Sequence, residues 1–177
     1  MKTTKDHVSD VSALLRARTT LIWVVSREEQ RAERCIVDAA LRARYPECVT
    51  WDCKDGLLYV PTVDATGAVT TRELDRSMVD PAGCLDRIRN DAVRRVYVLR
   101  DLHAWMDPVT RRALKSLARD LQTAPSAEAR AIVVLTASAD VPPELSDSAV
   151  VVEWPLPDRD EIAALADASA AAQKLAL

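Results

Sequence analysis

Glycine is scarce in this chain: three residues in 177, at Gly56, Gly67 and Gly83, and no Gly-Lys-Ser or Gly-Lys-Thr occurs anywhere. That scarcity excludes a glycine-rich phosphate loop, in which consecutive backbone N–H groups converge on phosphates beside a Lys and a Mg²⁺-binding hydroxyl. The first apolar strand, Thr20-Leu-Ile-Trp-Val-Val25, runs instead into Ser26-Arg27-Glu28-Glu29. The spacing predicts that Ser26 caps the next helix while Glu29 reaches back to the Ser26 N–H, a reciprocal capping box that consumes the donors a phosphate would use. Two carboxylates at the positive end of a helix also repel an incoming polyphosphate.

Other absences narrow the class. Positive charge is not in excess: net charge is −3 and the isoelectric point about 5.5, which argues against sequence-independent nucleic-acid binding. The basic pairs Arg94-Arg95 and Arg111-Arg112 sit beside acids and read as solvated faces. No apolar run approaches membrane-spanning length, and Met1-Lys-Thr-Thr-Lys-Asp-His7 lacks the apolar segment of a secretory leader. A cytoplasmic or plastid-stroma-like location, with no membrane partner, is the expectation. Four cysteines do not make a secreted disulfide framework, so reduced thiols are expected. Cys48 and Cys53 are an odd number of residues apart, which throws them to opposite faces rather than into a metal knuckle. Cys35 and Cys84 read as small core residues, and no metal site is expected.

What is present is an alternation of helical and strand periods in a chain that is 49% apolar. Val8, Val11, Leu14 and Leu15 stripe a first helix ending near Arg18. A second helix, about 27–44, turns Ala32, Cys35, Ile36, Ala39 and Ala43 inward and stops at Pro46. Strands follow at 48–52, 96–99, 131–135 and 149–152. Asp80-Pro81 and Asp107-Pro108 each read as a cap followed by Pro at the first helical position. They open helices to about Asn90 and to about Thr123, the latter with Val109, Ala113, Leu114, Leu117 and Leu121 facing in. Leu57–Val60 and Ala68–Arg72 pair as a small ribbon, and a last helix starts at Asp158 with Glu161 completing a capping box. Continuous Val, Ile and Leu strands between amphipathic helices require a mostly parallel sheet covered on both faces. The fold class is therefore α/β, a three-layer sandwich. One domain spans 1–157, with the ribbon at about 56–72, and a C-terminal helix occupies 158–177.

The order of segments resembles a known family. Leu14-Leu-Arg-Ala-Arg18, Ser26-Arg-Glu-Glu-Gln-Arg31, Val96-Tyr-Val-Leu-Arg-Asp-Leu-His103, Ala131-Ile-Val-Val-Leu-Thr136, Val141-Pro-Pro-Glu-Leu145 and Val152-Glu-Trp-Pro-Leu-Pro-Asp158 together carry the likeness. It is to the degenerate N-terminal ATPase-like domain of AAA-family ATPases related to a conserved chloroplast open reading frame, in which this domain precedes an intact AAA module. The resemblance implies a five-stranded P-loop-like sheet of order 5-1-4-3-2 with the ribbon as an insertion. It places Asp101 at the position of the metal-organising acid, Leu102 where the catalytic glutamate would be, and Ser138 near the polar sensor. With those parts missing, phosphoryl transfer lacks both positioning and charge stabilisation, and this chain is expected to be no enzyme and to hold no cofactor. ATP and Mg²⁺ would belong to a following ATPase module, which would also be the partner, or would make the chain part of a homo-oligomer.

Two residues at the same sheet edge invite other readings. Trp105 lies between the strand-end acid and the Asp107-Pro108 cap, at the carboxyl edge where open α/β folds place binding crevices; a lid over the sheet edge is the alternative. Asp101, His103 and Ser138 are a conceivable hydrolytic triad, but Ser138 lies in Thr-Ala-Ser-Ala-Asp without the glycines of a nucleophile elbow. His103 then reads as a surface residue and Asp101 as a cap. The expected function is a non-catalytic domain working through protein contacts. A small-molecule or weak nucleotide-binding regulator using the crevice at Asp101, His103, Trp105 and Ser138 is the alternative.

Overall fold

A computed structural model describes residues 3–60, 62–63, 69–70, 72–157, 159–164 and 166–167. Helix α1 (Thr4–Arg16) starts at a capping box between Thr3 and Asp6. Strand β1 (Leu21–Val25) leads to α2 (Glu29–Arg42), and β2 (Glu47–Asp52) to β3 (Gly56–Tyr59). A two-stranded ribbon, β4 (Thr62–Val63) with β5 (Val69–Thr70), precedes β6 (Glu73–Asp75). Then come α3 (Pro81–Arg89), β7 (Arg95–Arg100), α4 (Pro108–Gln122), β8 (Arg130–Thr136) and β9 (Val150–Glu153). The chain is helical again over 159–164.

The sheet departs from the expected five strands in number: its five parallel strands lie in the expected order 5-1-4-3-2, and two antiparallel strands extend it at one edge. It has seven, in the order β6-β3-β2-β7-β8-β1-β9, and it is mixed. Strands β2, β7, β8, β1 and β9 are mutually parallel, whereas β3 runs antiparallel to β2, and β6 to β3. The local cause is the turn after β2. Asp52 Oδ1 accepts the N–H groups of Lys54 and Asp55 at 2.9 and 2.7 Å, and Gly56 follows at φ 69°. A Cβ there would lie 2.6 Å from the Asp75 carbonyl oxygen, so only glycine allows the chain to double back. Leu57 therefore pairs with Trp51. Of the expected pairing of Leu57–Val60 with 68–72, the Tyr59 N–H reaches the Arg72 carbonyl at 2.9 Å, Val69–Thr70 pair with Thr62–Val63 instead, and Ala68 and Thr71 lie outside the described residues.

Alternation along the central strands divides two cores. Ile22, Val24, Val96, Val98 and Val133 meet α1 and α2 on one face. Trp23, Tyr97, Leu99, Ile132 and Val134 meet α3 and α4 on the other. Strands buried on both faces read as unbroken apolar runs for this reason. The Asp80 and Asp107 caps form as expected, accepting Gly83 N–H at 2.7 Å and Thr110 N–H at 2.6 Å. Trp23 is fully buried, and Trp154 is buried at the β9 edge beside His7.

Several expectations fail for identifiable reasons. Val109 is 65% exposed, and Thr110 and Ala118 take its place on the inner face of α4. Arg95 is buried, not solvated: it is 4% exposed and bound to Glu47 at 2.7 Å and to Asp91 at 3.0 Å. Cys35 is only partly buried, and Ala40 is the buried neighbour in its stead. The cap expected at Asp158 and most of the alanine-rich tail lie outside the described residues.

Candidate functional site

The carboxyl ends of β1, β2, β7 and β8 converge on one edge of the sheet. At the end of β1 the chain stays in register for one more residue: the Ser26 N–H donates to the Thr136 carbonyl at 2.8 Å. The predicted capping box therefore does not form, because its backbone donor is already committed to the sheet ladder. Ser26 Oγ instead accepts the Glu28 N–H at 3.1 Å, and α2 begins at Glu29 with no side-chain cap. Glu28 turns to Arg31 at 2.5 Å, whose guanidinium also reaches Thr4 Oγ1 at 2.9 Å and the Pro155 carbonyl. Arg27 is exposed.

The space beside the start of α2 is organised by Arg100, the last residue of β7. Its Nε and Nη2 lie 2.8 Å from Glu33, its Nη1 3.3 Å from Asp52, and its Nε 3.9 Å from Glu29. One guanidinium thus faces three carboxylates from α2 and β2. Burial works against the Arg100 charge, yet Glu33, Glu29 and Asp52 outweigh it and raise its pKa. Asp52 is opposed by burial as well, but the N–H groups of Asp55 and Lys54 and the Arg100 cation hold its carboxyl below the ordinary value. Burial pushes Glu29 up, helped by Asp101, Glu33 and Asp52 and resisted by Arg100.

Of the positions named from sequence, Asp101 sits just past β7 with φ 49°, in the left-handed region, its side chain 60% exposed. It does not cap the following 3-10 turn, Leu102–Trp105, through its side chain. His103 Nδ1 is 2.8 Å from Thr136 Oγ1 and 3.8 Å from Asp101 Oδ1. A relay needs the carboxylate and the hydroxyl on opposite ring nitrogens, and here both approach Nδ1. Ser138 directs its hydroxyl to Asp140 at 2.8 Å, and its carbonyl accepts the Trp23 indole N–H at 3.0 Å. The structure therefore brings Asp101 and His103 together but leaves Ser138 out of reach of the imidazole, and no Asp-His-Ser relay is assembled.

Trp105 is 47% exposed, which leaves about half of its surface open to a partner. It lines a hollow of about 470 Å³ with His103, Met106 and Thr110, between the capped starts of α3 and α4. Cys48 is buried and burial pushes its thiol up to about 12, whereas Cys53 is exposed.

Sequence reasoning missed Arg100, Glu33, Asp52 and Thr136. A signal existed: an arginine ending an otherwise unbroken apolar strand, directly before an aspartate. Its partners are 48–71 residues away and become visible only when β2, β7 and α2 are brought together.

The site so arranged belongs to a chain with clear relatives. Residues 7–154 match the family described as SpoVK-like AAA ATPase, N-terminal domain. Curated relatives include proteins named "Uncharacterized AAA domain-containing protein ycf46". The one from Guillardia theta is 27% identical over 156 residues, covering 88% of this chain and 28% of the relative. Those from Pyropia yezoensis and Gracilaria tenuistipitata var. liui are 23% and 25% identical, each covering nearly nine-tenths of this chain. The chain thus spans less than a third of the length of these relatives. With a parallel α/β core and a family match over most of its length, this chain belongs to the N-terminal domain family of SpoVK-like AAA ATPases.

Proposed function

We propose that this chain is a non-catalytic AAA-like domain that acts through protein contacts, assembling or regulating an AAA ATPase or docking a partner to it. The observation that carries this reading is the Arg100 cluster. Where a nucleotide's phosphates would need converging amides and free cations, the local cation is held by Glu33 and Asp52. The first backbone donor after β1 is held by Thr136. A triphosphate would have to strip Arg100 from its partners and enter beside Glu29 and Glu33, against their charge. On this reading ATP and Mg²⁺ belong to another module of a longer protein, and the partner is that module or further copies of the same protein. A cytoplasmic or stroma-like compartment is part of the same proposal; among the described residues no helix is long and apolar enough to cross a membrane.

The test is isothermal titration of the 177-residue chain with Mg²⁺-ATP and Mg²⁺-ADP. The expected result is no heat of binding up to millimolar nucleotide; micromolar binding would overturn the reading.

A second reading rests on the half-exposed Trp105 and its hollow: a regulator that takes a small molecule or, weakly, a nucleotide beside His103. A thermal-shift screen would support it through a stabilising ligand whose effect disappears in Trp105→Ala. An indole at a protein contact would give no such ligand.

A further inference from the structure

The outer face of α4 carries a shallow groove of about 480 Å³, floored by Val109, Ala113 and Ser116 and walled by Pro108, Arg112 and, from α3, Arg89. Nothing in the capped, apolar inner face of α4 requires these residue types on the outside. Val109, 65% exposed, is the most solvated large apolar side chain described. Its neighbour Pro108 adds a second rigid apolar surface. Burying water-exposed apolar groups of this size lowers the free energy, so the groove favours a partner that presents an apolar side chain.

The charges around it choose the partner's sign. Arg112 is exposed, takes no ion pair among the described residues, and stands one helical repeat of seven from Arg119 on the same face. Arg119 and Arg89 share a single carboxylate, Asp120, at 3.4 and 3.2 Å. Arg89 also keeps its Nε without an acceptor, although that atom is shielded from water. Asp86 approaches this same Nε only at 4.0 Å. Three guanidiniums against two carboxylates leave the groove rim positive on a chain whose net charge is −3. Arginine is suited to this task, since its planar fork donates to both oxygens of a carboxylate and also lies flat on apolar surface.

We propose that the α3–α4 groove docks an acidic protein segment, one apolar side chain seating on Pro108 and Val109 and flanking carboxylates pairing with Arg112 and Arg89. This deepens, and rests on, the reading of the chain as a protein-contact domain, and it names the partner's chemistry. The segment binds weakly and reversibly, because most of the rim pairs are solvent-exposed and are worth little each. Its affinity falls as salt rises.

The experiment is selection of a phage-displayed library of twelve-residue peptides on the immobilised 177-residue chain. Fluorescence anisotropy of the enriched peptides follows, with Arg112→Glu, Val109→Asp and Trp105→Ala as variants. Positions 109 and 112 are exposed, so these substitutions leave the fold intact, which circular dichroism checks. Enriched sequences are expected to combine several Asp or Glu with one aromatic or large aliphatic residue. Binding is expected to weaken about tenfold or more in Arg112→Glu and similarly in Val109→Asp, and by less than about twofold in Trp105→Ala, which lines the other hollow. Absence of acidic enrichment, affinity unchanged by Arg112→Glu and Val109→Asp, or displacement of the peptide by a single-stranded oligonucleotide of equal charge at lower concentration would each overturn the proposal. The two readings fail separately: a silent nucleotide titration with no acidic peptide sinks the groove alone, whereas micromolar ATP binding sinks the non-catalytic reading whatever the groove binds.

Discussion

The two ends of β7 carry the same chemistry in opposite settings. At its amino end Arg95 is 5% exposed in its side chain and holds Asp91 and Glu47, and the Tyr97 hydroxyl donates to Asp91. Arg130, from the next strand, gives its Nη1 to the carbonyls of Ile88, Arg89 and Asp91, closing the C-terminal turn of α3. At its carboxyl end Arg100 also meets several carboxylates, but its side chain is 25% exposed and that of Glu29 is 47% exposed. At the amino end Arg95 and Asp91 are closed off from water, at 5% and 7% exposure, and only Glu47, at 30%, reaches the surface. The carboxyl-end cluster is open to water.

That difference separates structure from site. The buried network satisfies the carbonyls that end α3 and fixes where that helix stops. The more exposed cluster at the carboxyl edge lies where α/β sheets place ligands, and there its groups pair with one another. The same residue types, arginine and carboxylates, hold one end of the strand together and pair with one another at the other.

The largest expected effect is at the closed end. Asp91→Ala leaves Arg95 with a buried, partly unpaired charge and the Tyr97 hydroxyl without its acceptor. Breaking a buried pair in this way costs about 3–5 kcal/mol, read as a fall in the urea midpoint at unchanged slope. A loss below about 1 kcal/mol would mean that water reaches this end and that the contrast with Arg100 is false.

Arg100→Ala comes second, at about 2 kcal/mol, less than a fully buried pair because water screens the cluster. It leaves Glu29, Glu33 and Asp52 facing one another with no cation. The deficit should therefore shrink on acidification, as protonation relieves the repulsion. A deficit as large as that of Asp91→Ala would place the two ends in one class.

Asp52→Ala follows, at about 1 kcal/mol, for the loss of two backbone hydrogen bonds and one partner of Arg100. Its pH dependence has a definite sign. The folded carboxyl lies below its ordinary value of 3.8, so its stabilisation is complete above that value and is lost as pH falls through the lower folded value. The variant's deficit should accordingly be constant at neutral pH and vanish in strong acid.

How far the sequence alone could reach follows from which residues act locally. Continuous runs such as Ala131–Leu135 and the Asp80-Pro81 and Asp107-Pro108 caps contain their own explanation within a few residues, and the layers and helix starts follow from them. Ser26 looked equally local, yet its N–H was claimed by Thr136, 110 residues away, so β1 ran on and the capping box was lost. Arg95 read as surface because burial of an arginine depends on partners that the chain supplies elsewhere. The outward turn of Val109 had the same origin: with Pro108 starting α4, Thr110 rather than Val109 falls on the inner face. The absence of glycines after β1 was legible in the sequence, but the cluster of Arg100 with Glu33 and Asp52 at the same edge is assembled from three separate elements.

The smallest expected effect is the most direct probe of the open end. Burial raises the Glu29 carboxyl above its ordinary value of 4.5, so the folded state holds this proton more tightly than the unfolded chain. That contribution to stability is present below the ordinary value and is lost as pH rises through the folded one. At neutral pH the ionised group is thus a slight cost, offset by Arg100 at 3.9 Å and screened by water. Glu29→Gln should change stability by less than about 0.5 kcal/mol at pH 7. The same variant titrated with Mg²⁺-ATP should remain silent, because Ser26 still lends its N–H to Thr136 and Glu33 still holds Arg100. If removing this single charge were enough to admit nucleotide, the block at the carboxyl edge would be electrostatic and reversible, and the open end of β7 would be a gated site rather than a closed one.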